Sequence, residues 1–250
     1  MKTIAILQPS FLPWLGYYEQ MVLADVFVHF DDVQFTRQDW RSRNRLKSPA
    51  GIKVVAVPVQ KHEFSKTLIN EIRVVNGQPW NRKLLKQIRA WYAKAEYFDD
   101  YFSAFQEILE IRFERLVDLN YALNDLLRNI LCIDTPQYLS SEIPNKSEDR
   151  NMKIIDICRH HGADLLYEGQ SGQNFMDLDM FRRNGDRVVF QEYRHKPYPQ
   201  LWGSFESHLS VLDLLLNCGL RSRDIILSSP SPVFLTESKG LRTDSKVMRF

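Results

Sequence analysis

Side chains able to do chemistry gather in five short stretches of this chain of 250 residues. Gln8 and Trp14 follow an apolar run, Thr3 to Leu7, and precede apolar residues at helical spacing from Leu15 to Ala24. Asp31 and Asp32 end a second apolar run. A carboxylate there could hold a sugar hydroxyl, a divalent ion or a substrate amine. Adjacent strand residues project to opposite sides, so at most one of the pair faces a cleft, and an Asp closing a turn is the common alternative. Arg37, Arg41, Arg43, Arg45 and Lys47, with Trp40 and Asn44 among them, could clamp a diphosphate, track a nucleic acid backbone or form a solvated face. In Glu168 to Asn174, Gly169 and Gly172 permit close backbone approach, and Ser171, Gln173 and Asn174 offer neutral donors to phosphate or sugar, although a tight turn without a ligand uses the same residues. The fifth stretch, Tyr193 to Asp213, holds His195, Tyr198, Gln200, His208, Ser210 and Asp213. A histidine titrating near neutrality can exchange protons there, whereas Ser210 and Asp213 on one helix face could equally form a buried hydrogen-bond device.

The elements that must position these groups are those of an α/β protein. Thr3–Leu7, the helical stretch to Ala24 and Asp25–Phe30 read as strand, helix, strand, interrupted by Pro9 and Pro13. A parallel return through a helix places Gln8, Trp14 and Asp31 at the carboxyl edge of the sheet, where open α/β proteins bind ligands. IKVVAVPV reads as a buried strand and Asn70–Val75 as a short one. Residues 79–132 form a helical middle segment, with helices from Pro79, over about Asp99–Arg115 and about Leu119–Leu131, as a lobe or as cover for the sheet. Alternation resumes with a helix over about Glu148–His161, the strand ADLLYEG, a short helix near Asp177–Asn184, the strand RVVFQEY and a helix over about Ser207–Cys218. The expectation is one α/β domain over residues 1–250, an open, mainly parallel sheet with flanking helices, and a loosely ordered tail from about 225 to 250.

Composition excludes several classes. A net charge of +2 with 44% hydrophobic residues suits a globular protein and argues against nucleic acid as partner. No window approaches a membrane span and no signal sequence precedes the first strand, so the expectation is a cytoplasmic protein. Cys132, Cys158 and Cys218 read as reduced thiols in apolar helical settings. The six histidines, His62 among them, lack metal-ligand spacing, no GxSxG turn is present, and no cofactor is named by any motif.

Taken in order, QPSFLPWLGYYEQMVLADVFVHFDDVQF, RNRLK, YPQ and SVLDLLLNCG resemble the WbqC-like protein family over about Lys2 to Gly219. Several members of that family sit in bacterial surface polysaccharide loci, so the resemblance implies a sugar or nucleotide-sugar context. The resemblance names no reaction; with no metal or redox motif present, the first expectation is an enzyme of O-antigen-type biosynthesis acting on a nucleotide-linked amino sugar, by N-acyl or aminoacyl transfer. Gln8, Asp31 and His195 would then supply base and oxyanion contacts, and Arg43, Arg45 and Lys47 would hold phosphates. Trp14, Tyr17, Asp32, Asn44, Ser171, Gly172, Tyr198, Gln200, Ser210 and Asp213 complete the expected substrate site. A non-catalytic nucleotide-sugar or glycan binding partner, using Trp14, Trp40, Tyr198 and Trp202 for stacking, is the alternative. A nucleotidyltransferase is the other: Trp14-Leu15-Gly16-Tyr17 is similar to the H-x-G-H signature of those enzymes, with aromatics in place of both histidines, although the helix N-terminus still suits an anion.

Overall fold

The computed structural model describes residues 1–60 and 66–240, which leaves His62 and the last ten residues of the expected tail outside the described residues. Five strands, β1 (Thr3–Leu7), β2 (Val26–His29), β5 (Gln137–Leu139), β6 (Leu165–Glu168) and β7 (Arg187–Phe190), form a parallel sheet in the order β5-β2-β1-β6-β7. The registers run Ile4 to Val26, Phe27 to Gln137, Thr3 to Leu165 and Leu165 to Arg187. Helices α1 (Leu15–Leu23), α5 (Arg150–His160) and α6 (Leu178–Arg183) make three of the four crossovers, and the hairpin and helical middle segment span the fourth, from β2 to β5. β1 has β2 on one side and β6 on the other, so the winding reverses beside β1 and opens a crevice at its carboxyl end.

Strand alternation sends side chains to two cores. Ala5 and Phe27 share one with Tyr18 and Met21 of α1. It also takes in α2 (Trp80–Tyr92), α3 (Phe98–Glu110) and α4 (Leu116–Ile130), through residues such as Ile88, Phe105 and Leu123, and Leu212 and Leu215 of α7 (Val211–Cys218). Ile4, Ile6, Val26 and Val28 meet Ile154 and Ile155 of α5 and Phe181 of α6 on the other face. The helical middle segment therefore packs into the core of the first face.

Four local expectations are corrected. IKVVAVPV is not a buried strand: β4 (Gly51–Ala56) pairs antiparallel with β3 (Arg43–Ser48) in a separate hairpin, and Val54 is 57% exposed. β-branched residues suit either setting, so their run did not tell a buried strand from an outer one. Asn70–Val75 is not a strand but contains a single 3-10 turn, Ile69–Glu71, and isolated bridges. The helix expected from about Ser207 begins at Val211 because Ser210 caps it, its Oγ accepting from Leu212 N at 3.2 Å. Cys132 is exposed at positive φ beyond α4, whereas Cys158 and Cys218 are buried. Within the expected tail, α8 (Ser222–Leu227) and α9 (Val233–Ser238) are helical, and Leu235 packs with Leu23 and Tyr167. No helix of the described residues is long and apolar enough to cross a membrane.

Candidate functional site

A cavity of about 470 Å³ opens at the crevice beside β1. Much of its wall comes from the carboxyl ends of strands of the sheet, or from the amino end of a helix that follows one. Gln8 leaves β1, Glu168 and Gly169 leave β6, Gln191 leaves β7, and Arg150 is the first residue of α5. Trp40 and Arg41 enter from the loop before β3.

Two guanidiniums and one carboxylate dominate the polar half. Arg41 pairs with Asp39 at 3.0 Å and donates to the Gln8 side-chain oxygen, yet its Nε is buried without a partner. Burial lowers its pKa and Asp39 opposes that; Arg150 lowers it further. Arg150 stacks on Phe175, its guanidinium carbon 3.8 Å from the ring centroid. Glu168 is buried, and burial pushes its carboxyl up to about 7 against a Gly169 N–H bond at 3.0 Å and the nearby Arg150. Gly172 packs under it: a Cβ there would come within 2.5 Å of Glu168 Cγ.

The other half is aromatic. Trp14 lies over Gly16, where a Cβ would meet the indole at 2.3 Å, so glycine is needed for the ring to cover the first turn of α1. Tyr193 meets Trp14 edge-on at 5.2 Å, and His208 lies parallel to it at 6.3 Å. His195 packs behind, 4.4 Å from His208; burial and His208 lower its pKa to about 4.

Of the residues expected from the sequence, Gln8, Trp14, Tyr17, Asn44 and Ser171 line this cavity, together with Trp40, Arg41 and His208 of the basic and histidine-bearing stretches. Asn44 also fastens the loop after β1, donating to Phe11 O at 3.1 Å and Leu12 O at 2.6 Å. Tyr17 turns its hydroxyl to His29 Nδ1 at 3.4 Å. The rest go elsewhere. Asp31 accepts from Ser141 N at 2.9 Å and Ser141 Oγ at 2.7 Å, and Asp32 takes Ser140 Oγ at 2.5 Å with Lys146 and Lys153 at 3.3 and 3.7 Å. Both carboxylates thus fasten the turn after β5. Lys47 is buried, reaching Gln200 Oε1 at 3.1 Å and the Ser204 carbonyl; Gln200 in turn holds Glu206, and Asp213 accepts from Tyr92 at 3.0 Å and Tyr198 at 3.2 Å. Arg45 lies on Trp40 at 5.2 Å, Arg43 stands on the hairpin, Ser210 caps α7, and Gly172 supports Glu168 from below.

Sequence reasoning missed Glu168, Arg150, Gln20 and Gln191 as site residues, and it named Arg41 within the basic cluster but gave the phosphate contacts to Arg43, Arg45 and Lys47. A carboxylate ending an apolar strand just before a glycine was the available signal for Glu168. Nothing local marked Gln191 or Arg150, which are brought in by the winding of the sheet. Among the described residues no group of three or more His, Cys, Asp or Glu side chains could hold a metal ion.

The chain is 30% identical over 229 residues to the uncharacterized protein Rv1507c of Mycobacterium tuberculosis, an alignment covering 90% of this chain and 98% of that protein. No solved structure matches the chain significantly. The model of the WbqC-like protein family matches residues 8–225, from the loop that floors the cavity to the helix after α7, and with that extent the chain belongs to the WbqC-like protein family.

Proposed function

We propose that the chain is an enzyme of bacterial surface polysaccharide biosynthesis that acts on a nucleotide-linked amino sugar, by N-acyl or aminoacyl transfer. One observation carries the reading: a buried carboxyl raised to about 7 shares a cavity with two guanidiniums. Guanidiniums suit phosphate oxygens, and the unpartnered Arg41 Nε is a donor awaiting an acceptor. Glu168 takes the role first expected of Asp31 and His195. A carboxylate with a pKa near the working pH can pass the first ammonium proton to solvent and serve again as base. The neutral amine attacks the acyl carbonyl, Glu168 takes the second N–H proton from the tetrahedral adduct, and the bond to the donor's leaving group breaks as Glu168 gives that proton to it. Trp14, Tyr193 and His208 offer stacking surface to the sugar or base. The cavity volume lies within the usual range for small-ligand sites.

The test incubates the protein with nucleotide-linked amino sugars and acyl or aminoacyl donors, with products read by mass spectrometry. An N-acylated product made by the wild type and lost in Glu168→Gln is expected. Tight binding without product, unchanged in Glu168→Gln, would instead support the non-catalytic partner.

A further inference from the structure

A chain of side-chain amides with fixed polarity runs beneath the cavity. Gln191 Nε2 donates to Gly16 O at 2.8 Å and to Glu19 Oε2 at 2.6 Å. Glu19 is buried and also accepts from Tyr167 at 3.0 and 3.1 Å and from Ser231. The Gly16 carbonyl can only accept, so Gln191 must turn its NH2 toward it and its oxygen toward Gln20. Gln20 must answer with its own NH2, which it does at 2.8 Å. Its oxygen is then left over. Gln20 is 2% exposed and lines the cavity, and its Oε1 is buried with no donor. An orphaned buried acceptor is costly unless a ligand supplies the missing donor.

We infer that Gln20 Oε1 receives an N–H of the substrate amine, and that Gln20 and Glu168 together select an amine over a hydroxyl. This rests on the reading of the cavity as a site for a phosphorylated amine. Both side chains line the one cavity, Glu168 at the end of β6 and Gln20 from α1, and a Cβ at Gly169, the residue after Glu168, would lie 3.6 Å from the Gln20 amide nitrogen. An amino nitrogen carries at least two protons and can serve two acceptors. A hydroxyl carries one and leaves either Gln20 or the ionised Glu168 carboxylate, the form present above pH about 7, unanswered. Glu19 and Gln191 are positioning residues, because they keep the Gln20 oxygen turned outward from the relay.

Calorimetry with UDP-glucosamine and UDP-glucose tests the inference. The wild type should prefer the amine by about tenfold or more. Gln20→Met, which keeps the volume and removes the acceptor, should bring the ratio close to one; Gln20→Asn, which withdraws the oxygen, substitutes if the Met variant does not fold. Equal binding by the wild type, or a ratio unchanged in the variants, overturns the inference and leaves the nucleotide-sugar reading standing. If the wild type binds neither nucleotide, that reading fails and NMR titration with 2-aminoethyl phosphate and 2-hydroxyethyl phosphate decides. A preference for the amine that falls in Gln20→Met then sustains the inference, and no binding or no preference overturns it.

Discussion

Glu168 and Asp213 are both buried carboxylates held above the ordinary range, to about 7 and about 6, and burial is the largest cause in each. Their surroundings differ. Asp213 is met by two tyrosine hydroxyls, with Lys47 nearby, in a closed network that ties α7 to β3 and α2. Glu168 receives one backbone N–H and faces open space shared with Arg41 and Arg150. A perturbed carboxyl alone marks desolvation; it points to chemistry only when its neighbours are also left wanting partners.

The comparison breaks first at activity. Glu168→Gln should lower acyl transfer by about 10²- to 10⁴-fold, the usual span for losing a general base, while Asp213→Asn should retain turnover per folded molecule. Steady-state rates normalised to folded protein check both.

Stability against pH should separate Glu168 from its amide next. Below pH about 4.5 the carboxyl is protonated in native and unfolded chains alike. Between there and about 7 only the native state keeps the proton, so the wild type loses stability as pH rises, and above that the loss is constant. Glu168→Gln should therefore exceed the wild type by up to roughly 3 kcal/mol at pH 8 and match it near pH 4, read from urea unfolding.

For Asp213→Asn the effect should be a loss of about 2 kcal/mol, because Tyr92 and Tyr198 lose a carboxylate acceptor inside the core. A neutral result would mean that the network relaxes without cost. The smallest change belongs to Arg41→Lys, which keeps the charge and discards the fork: inorganic pyrophosphate should bind about tenfold more weakly by calorimetry.

Much of the scaffold was legible because its signals are local. Thr3–Leu7 and the helix from Leu15 announce themselves by periodicity, and the carboxyl-edge rule then brought Gln8 and Trp14 to the cavity. The same rule misdirected Asp31. Its strand does end at that edge, but β5 lies alongside, and the turn after it consumes both Asp31 and Asp32. Three residues, Gln137–Leu139, are too few to display an alternation. In RNRLK the positive residues proved to be a strand: alternation places Arg43, Arg45 and Lys47 on one face, and the residue that enters the cavity is Arg41, two positions before β3. Gln20 was hidden differently. Within an α1 buried at every residue, only the polarity of its partners across 171 residues reveals which atom is spare.

The most direct test is a carbon-13 NMR titration of the glutamate side-chain carboxyls, with Glu168 assigned by the resonance that vanishes in Glu168→Gln. A midpoint near pH 7 is the predicted result. A midpoint near the ordinary glutamate value of about 4.3 would contradict the account, since Glu168 would then be too weak a base near neutrality for the role given to it.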